Sequence, residues 1–120
     1  MKEGVLLADG HVLVPRARRA DGPFERARGL LARPAPTPGE ALLIAPCSGI
    51  HTCAMAYPID AAFLDRRGRV LRVAVALVPW RFAACREGHA VVELAAGEAA
   101  CLGIVPGMAL EWRETAVELQ

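Results

Sequence analysis

Residues 59–78 constrain this chain more than any other stretch. Two largely apolar runs, 59–65 and 70–78, flank the turn Asp65-Arg66-Arg67-Gly68. A polar turn ending in glycine between two such runs reads as a β-hairpin. Period two then places Leu71, Val73, Val75 and Leu77 on one face of the second strand, with Arg72 the charge on the other.

The rest of the chain repeats this grammar of short runs and sharp turns. Residues 4–8 and 11–14 are separated by Asp9-Gly10, a strong two-residue hairpin signal. Arg16 to Arg19 follow as a basic, solvated edge. Asp21-Gly22-Pro23 opens a helix with proline in its first turn, and Phe24, Ala27, Leu30 and Leu31 recur at helical spacing. Residues 33–39 hold three prolines and form a loop. Residues 41–45 and 91–94 read as buried strands, and 46–58 as irregular. Residues 97–102 suit a short helix stopped by Gly103. Pro106-Gly107 fits the centre of a type II turn, and 108–112 and 115–119 are final strand candidates. The two helices do not alternate with the strands, which argues against a doubly wound sheet. The expected fold is α+β: a small curled antiparallel sheet or partial β-barrel with two short helices.

At 120 residues the chain suits one domain, 1–120. Apolar residues make up 54% and charged residues 22%, which excludes intrinsic disorder. The net charge of +1 excludes a dedicated electrostatic nucleic-acid binder, so no nucleic-acid partner is expected. No apolar stretch is long enough for a membrane span or a signal-peptide core. The expected location is therefore cytoplasmic, where Cys47, Cys53, Cys85 and Cys101 are thiols and not a disulfide framework.

The chemistry concentrates between Cys47 and Asp65. Asp60 sits in a strand between Ile59 and Ala61, where a carboxylate needs hydrogen bonds or a cation. Backbone N–H groups or an arginine are the favoured partners. Asp65 lies at the hairpin mouth and reads as a turn residue. His51 offers an imidazole that titrates near neutrality; a ring bonded to a backbone carbonyl is the simpler account. Thr52 reads as a local hydrogen-bonding residue, and Met55 and Tyr57 as core or rim. Cys47, His51 and Cys53 present soft ligands, but tetrahedral zinc needs a fourth, which Cys85 or Asp60 would supply only through the fold. A cysteine or serine nucleophile (Ser48) has the residue types but none of the local signatures. Trp80 beside Arg81 has the composition of a recognition spot, or else Arg81 pairs with Asp60 or Glu93.

Arg28-Gly29-Leu30-Leu31, Ile50-His51-Thr52 and the run from Met55 to Asp60 together resemble the domain-of-unknown-function family numbered 192. Phe63-Leu64-Asp65, Gly68, Pro79-Trp80-Arg81, Val92-Glu93-Leu94, Gly97, Gly103-Ile104 and Gly107 extend the resemblance to about residues 24–112. The link from Met55 to Pro58 is shorter than in many members, and Cys53 stands where similar chains often carry an aromatic residue. Cys47, His51 and Cys85 fall where short-link members often show the same residues. The resemblance implies a small, sheet-rich mixed domain and carries no established enzymatic activity.

These readings give the leading expectation of a non-catalytic binding or accessory module. Its pocket would be formed by His51, Thr52, Met55, Asp60, Trp80 and Arg81 and would take a small polar ligand or a protein segment, without a cofactor. One alternative is a zinc or thiol-redox site on Cys47, His51 and Cys85. A hydrolase with a cysteine or serine nucleophile is another.

Overall fold

The computed structural model describes residues 1–115. The chain runs β1 (Lys2–Ala8), β2 (His11–Ala20), α1 (Pro23–Arg28), β3 (Glu40–Ile44), β4 (Gly49–His51), β5 (Ile59–Leu64), β6 (Val70–Leu77), β7 (Phe82–Ala84), β8 (Ala90–Ala95), α2 (Glu98–Leu102) and β9 (Glu111–Glu114). Seven strands form one sheet in the order β6-β5-β8-β3-β2-β1-β9, and β4 and β7 form a separate ribbon. The expected strand at 115–119 lies outside the described residues but for Thr115.

Turn chemistry set the local hairpins as expected. Asp9 and Gly10 both take positive φ, of 51° and 77°, and join β1 to β2. At the β5–β6 hairpin the Asp65 carboxylate accepts the N–H groups of Arg67 and Arg69 at 2.8 and 2.9 Å. Those bonds, Arg69's first, hold its carboxyl below the usual carboxylate range. Met108 N–H bonds back to Val105 across Pro106-Gly107 at 3.3 Å. Helix α2 ends on Gly103 at φ 69°.

Four expectations are corrected. The sheet is mixed, because β2 and β3 pair in parallel while the other neighbours are antiparallel. A loop carrying α1 separates β2 from β3, and this crossover lets the chain return in the same direction. The ladders do not close into a barrel: among the described residues, the segment before β9 meets the start of β6 through an isolated bridge, Arg69 to Ala109. Helix α1 stops at Arg28, because Gly29 adopts φ 52°, ψ −128° and turns Leu30 and Leu31 out of helical phase.

The fourth correction concerns the face of β6. Ile59 pairs with Leu77 and Ala61 with Ala74, so three steps on β6 match two on β5. That extra residue is a bulge, with Ala76 at φ 50°. It reverses the alternation, so Val73 packs with one core cluster and Leu77 with the others. Val75 is left 63% exposed.

Strands β5 and β8 are buried almost throughout, because both faces of the sheet are covered. One face, with Leu43, Ala62, Leu64, Val92 and Leu94, packs with Ala99 of α2, Ile104 and residues of β1 and β2. The other carries Leu42, Ile44, Ile59, Ala61, Phe63 and Val91, under the loop after α1, the 46–58 segment and the β4–β7 ribbon. Among the described residues no helix is long and apolar enough to cross a membrane.

Candidate functional site

Asp60 and Thr52 hold the fold around the site. Asp60 is fully buried and its Oδ1 accepts the N–H of Ala76, at the bulge, at 2.8 Å. Its Oδ2 accepts the N–H groups of Gly97 and Ala99, both at 3.0 Å. Gly97, the N-cap of α2, has no side chain to cap the helix, so Asp60 does so from a neighbouring strand. The carboxylate thus joins β5, β6 and α2 through backbone N–H groups, and no arginine pairs with it among the described residues.

Thr52, also fully buried, binds the 78–81 loop. Its hydroxyl donates to the Val78 carbonyl at 2.6 Å and accepts the Arg81 N–H at 2.9 Å. Its carbonyl accepts the N–H of Trp80 at 3.1 Å and its N–H donates to the Arg81 carbonyl at 2.9 Å. Two sequence motifs far apart in the chain, Ile50-His51-Thr52 and Pro79-Trp80-Arg81, are therefore one backbone knot. Trp80 stands 64% exposed, and the Arg81 guanidinium donates to the Trp80 carbonyl.

His51 is exposed on the ribbon, its ring 6.2 Å from that of Phe82. Its Nδ1 accepts the Cys53 N–H at 3.2 Å, which leaves the ring proton on Nε2 in the neutral form. Cys47 Sγ donates to the Gly49 carbonyl at 3.2 Å, so the thiol is not paired with the imidazole. Burial pushes the Cys47 thiol up, the wrong direction for a nucleophilic or redox cysteine. All four cysteines are free. Among the described residues no three His, Cys, Asp or Glu side chains are grouped to hold a metal ion. The trio of Cys47, His51 and Cys85 is thus not assembled as a ligand set: Cys47 and Cys85 pack against the apolar cluster under the ribbon, and His51 is exposed.

The structure instead draws attention to Glu93. This residue of β8 pairs with Leu42 and Ala61 and is only 3% exposed. Its Oε1 has no hydrogen-bond partner. Burial alone raises its carboxyl to about 7. It lines a cavity of about 300 Å³ together with Arg26, Gly29, Leu30, Cys47, His51 and Met55. Gly29 lies against the carboxyl, where a Cβ would make an ordinary contact 3.5 Å from Glu93 Oε1; its φ of 52°, not a lack of space, is what favours glycine there. The loop over the cavity is pinned by Arg33, which donates to the Gly29 carbonyl at 2.9 Å, and by the Tyr57 hydroxyl, which donates to the Arg33 carbonyl at 3.1 Å.

Sequence candidates His51, Met55 and Cys47 therefore meet at this cavity. Asp60 lies on the opposite face of the sheet, and Thr52, Trp80, Arg81 and Cys85 do not line the cavity. Glu93 was the missing member. Its signal was a carboxylate inside the apolar run 91–94, the same anomaly that singled out Asp60. A larger cavity, of about 570 Å³, lies beside the Asp9-Gly10 and 65–68 turns. Its one buried unpartnered polar side-chain atom is Arg19 Nε, which faces Asp21 at 3.7 Å. Size therefore does not mark the site; an uncompensated carboxyl does.

Fold and cavity together define a small mixed-sheet α+β domain with a carboxyl set into one covered face. The family model of uncharacterized ACR proteins, domain-of-unknown-function family 192, matches residues 5–112, and the chain belongs to that family. A protein of unknown function from Novosphingobium aromaticivorans is 26% identical, with a TM-score of 0.79 over 92% of this chain and 84% of its own. A Sinorhizobium meliloti protein, named with a suggested role as a transcription regulator, is 27% identical, with a TM-score of 0.80 over 93% and 94%. No curated protein matches the sequence.

Proposed function

We propose that this chain is a non-catalytic binding module and that its pocket is the Glu93 cavity. The observation that carries this reading is the Glu93 carboxyl, buried, unpartnered and lining a cavity. A buried polar group without a partner costs stability, and a ligand that supplies the missing partner recovers that cost. Arg28-Gly29-Leu30, His51, Met55 and Glu93, from four separate motifs, surround the same space. Leu30, Ile44, Ile50 and Met55 give it apolar walls suited to a small ligand with one polar end. Against a hydrolase or thiol-redox reading stand the unpaired His51 and the raised Cys47 thiol.

The test is a fragment screen followed by amide chemical shifts of the labelled protein. Binders should shift Gly29, Leu30, His51 and Met55, and lose this effect in Glu93→Leu. A screen whose binders all act elsewhere, or act equally on Glu93→Leu, refutes the proposal.

A further inference from the structure

We infer that the ligand of this cavity is a small organic cation, an ammonium or amidinium on a short apolar body, whose head pairs with the Glu93 carboxylate. The inference rests on the binding reading above and deepens it. Among the described residues no basic side chain forms an ion pair with Glu93. Its neighbours across β3 and β5 are Leu42 and Ala61, which donate nothing. Arg26 and Arg28 also line the cavity, but neither donates to Glu93: Arg26 Nη1 bonds the Pro46 carbonyl at 3.1 Å while its Nε is buried and unpartnered, and Arg28 Nε bonds the Leu31 carbonyl at 3.1 Å. A cationic head supplies both things the carboxylate lacks, hydrogen-bond donors and a countercharge. A neutral head supplies only the first, and an anion supplies neither.

Pairing has a proton balance. The ammonium arrives already protonated. When it binds a protein whose Glu93 is a carboxylic acid, the carboxyl O–H bond breaks, its proton passes to solvent, and no other covalent bond changes. Affinity should therefore rise with pH as the carboxyl ionises. Among the described residues, the other titratable or charged groups around the carboxyl are Arg26 and Arg28 of α1, and Cys47, His51, Cys53 and Tyr57 from the 46–58 segment. The arginines keep their charge, and burial pushes both the Cys47 thiol and the Tyr57 hydroxyl upward. His51 and Cys53 are controlled by substitution.

The experiment measures binding of isobutylammonium, isobutanol and isobutyrate to the whole protein at about pH 6 and about pH 8, read from the Gly29 and Met55 amide shifts. With the carboxyl titrating at about 7, the ionised fraction, and with it the cation's affinity, rises about tenfold over this range. The expected result is a preference for the cation with this rise; the ratio of about tenfold between the two pH values persists in His51→Gln and Cys53→Ser whatever their absolute affinity, and is lost in Glu93→Gln. Binding of isobutanol or isobutyrate in the cavity as tightly as the cation overturns the cation inference and leaves the pocket standing. So does a cation affinity that is flat with pH or unchanged in Glu93→Gln. If none of the three probes, nor any fragment of the screen, shifts these amides, the pocket reading falls with it.

Discussion

Replacing Glu93 by glutamine should remove most of this protein's loss of stability between about pH 5 and about pH 8. In the fold the carboxyl titrates at about 7, against an ordinary value of 4.5, and the whole shift comes from burial. A raised folded-state value means that the native protein holds this proton more tightly than the unfolded chain. The contribution is fully present below the unfolded value and is lost as pH rises through about 7. From the difference between those values, Glu93 takes away about 2 to 3 kcal/mol across that interval. Set against the 5–15 kcal/mol typical of a domain, roughly speaking, this is a large fraction. Glu25, Glu40 and Asp65 shift the other way. The N-terminal ammonium holds Glu25 down, the Thr37 backbone N–H holds Glu40, and the Arg69 backbone N–H holds Asp65. Their stability is lost as pH falls through carboxylate values below this window, so they do not mask the effect. The assay is urea unfolding of wild type and Glu93→Gln at both pH values, with equal m-values confirming that the same transition is followed. Parallel changes in the two proteins would refute the reasoning, since the buried carboxyl would then have an ordinary proton affinity.

Removing the Asp60 carboxylate strands the N–H groups of Ala76, Gly97 and Ala99. Asp60→Ala should cost about 3 to 5 kcal/mol in urea unfolding and speed hydrogen exchange at Ala76 and Ala99; a loss below about 1 kcal/mol would contradict this. Thr52→Val keeps the volume but deletes the hydroxyl that bonds Val78 and Arg81. It should cost about 2 to 3 kcal/mol and shift the Trp80 fluorescence, whereas Thr52→Ser should restore most of both. In native protein Cys47 should react with a neutral disulfide reagent at least about tenfold more slowly than exposed Cys101; mass mapping of the modified sites decides it, and equal rates would count against the buried, raised thiol.

Much of the fold was legible because its signals are local. Asp9-Gly10, the Asp65 turn, Pro106-Gly107 and Gly103 each state a backbone conformation within a few residues. Asp60 was legible one step further, since a carboxylate beside Ile59 and Ala61 must find hydrogen-bond donors. Of the two favoured answers, backbone N–H groups match the arrangement here, and an arginine does not. The β4–β7 ribbon was not legible. Gly49–His51 and Phe82–Ala84 are three residues each, too short to show a period, and they meet only because Thr52 ties the two segments together. The face assignment on β6 failed for a similar reason: a period-two count has no means of seeing a bulge that a carboxylate on the next strand stabilises.

The candidate site divides in the same way. His51, Met55 and Cys47 stood out as polar or sulfur-bearing residues within apolar sequence, yet the sequence could not say which of them share a space. Alternation put Asp60 on the face of Ala62 and Leu64, but which face of the sheet the loops would roof was a matter of packing. That choice sealed Asp60 under α2 and left Glu93 facing a cavity. By itself, then, the sequence determined the turns, most strands, the short helices and the need of each buried carboxylate for a partner, because these depend on neighbours along the chain. Only the tertiary structure decided which carboxylate was satisfied, because β6 and α2 bring donors to Asp60, whereas no described element brings one to Glu93 Oε1.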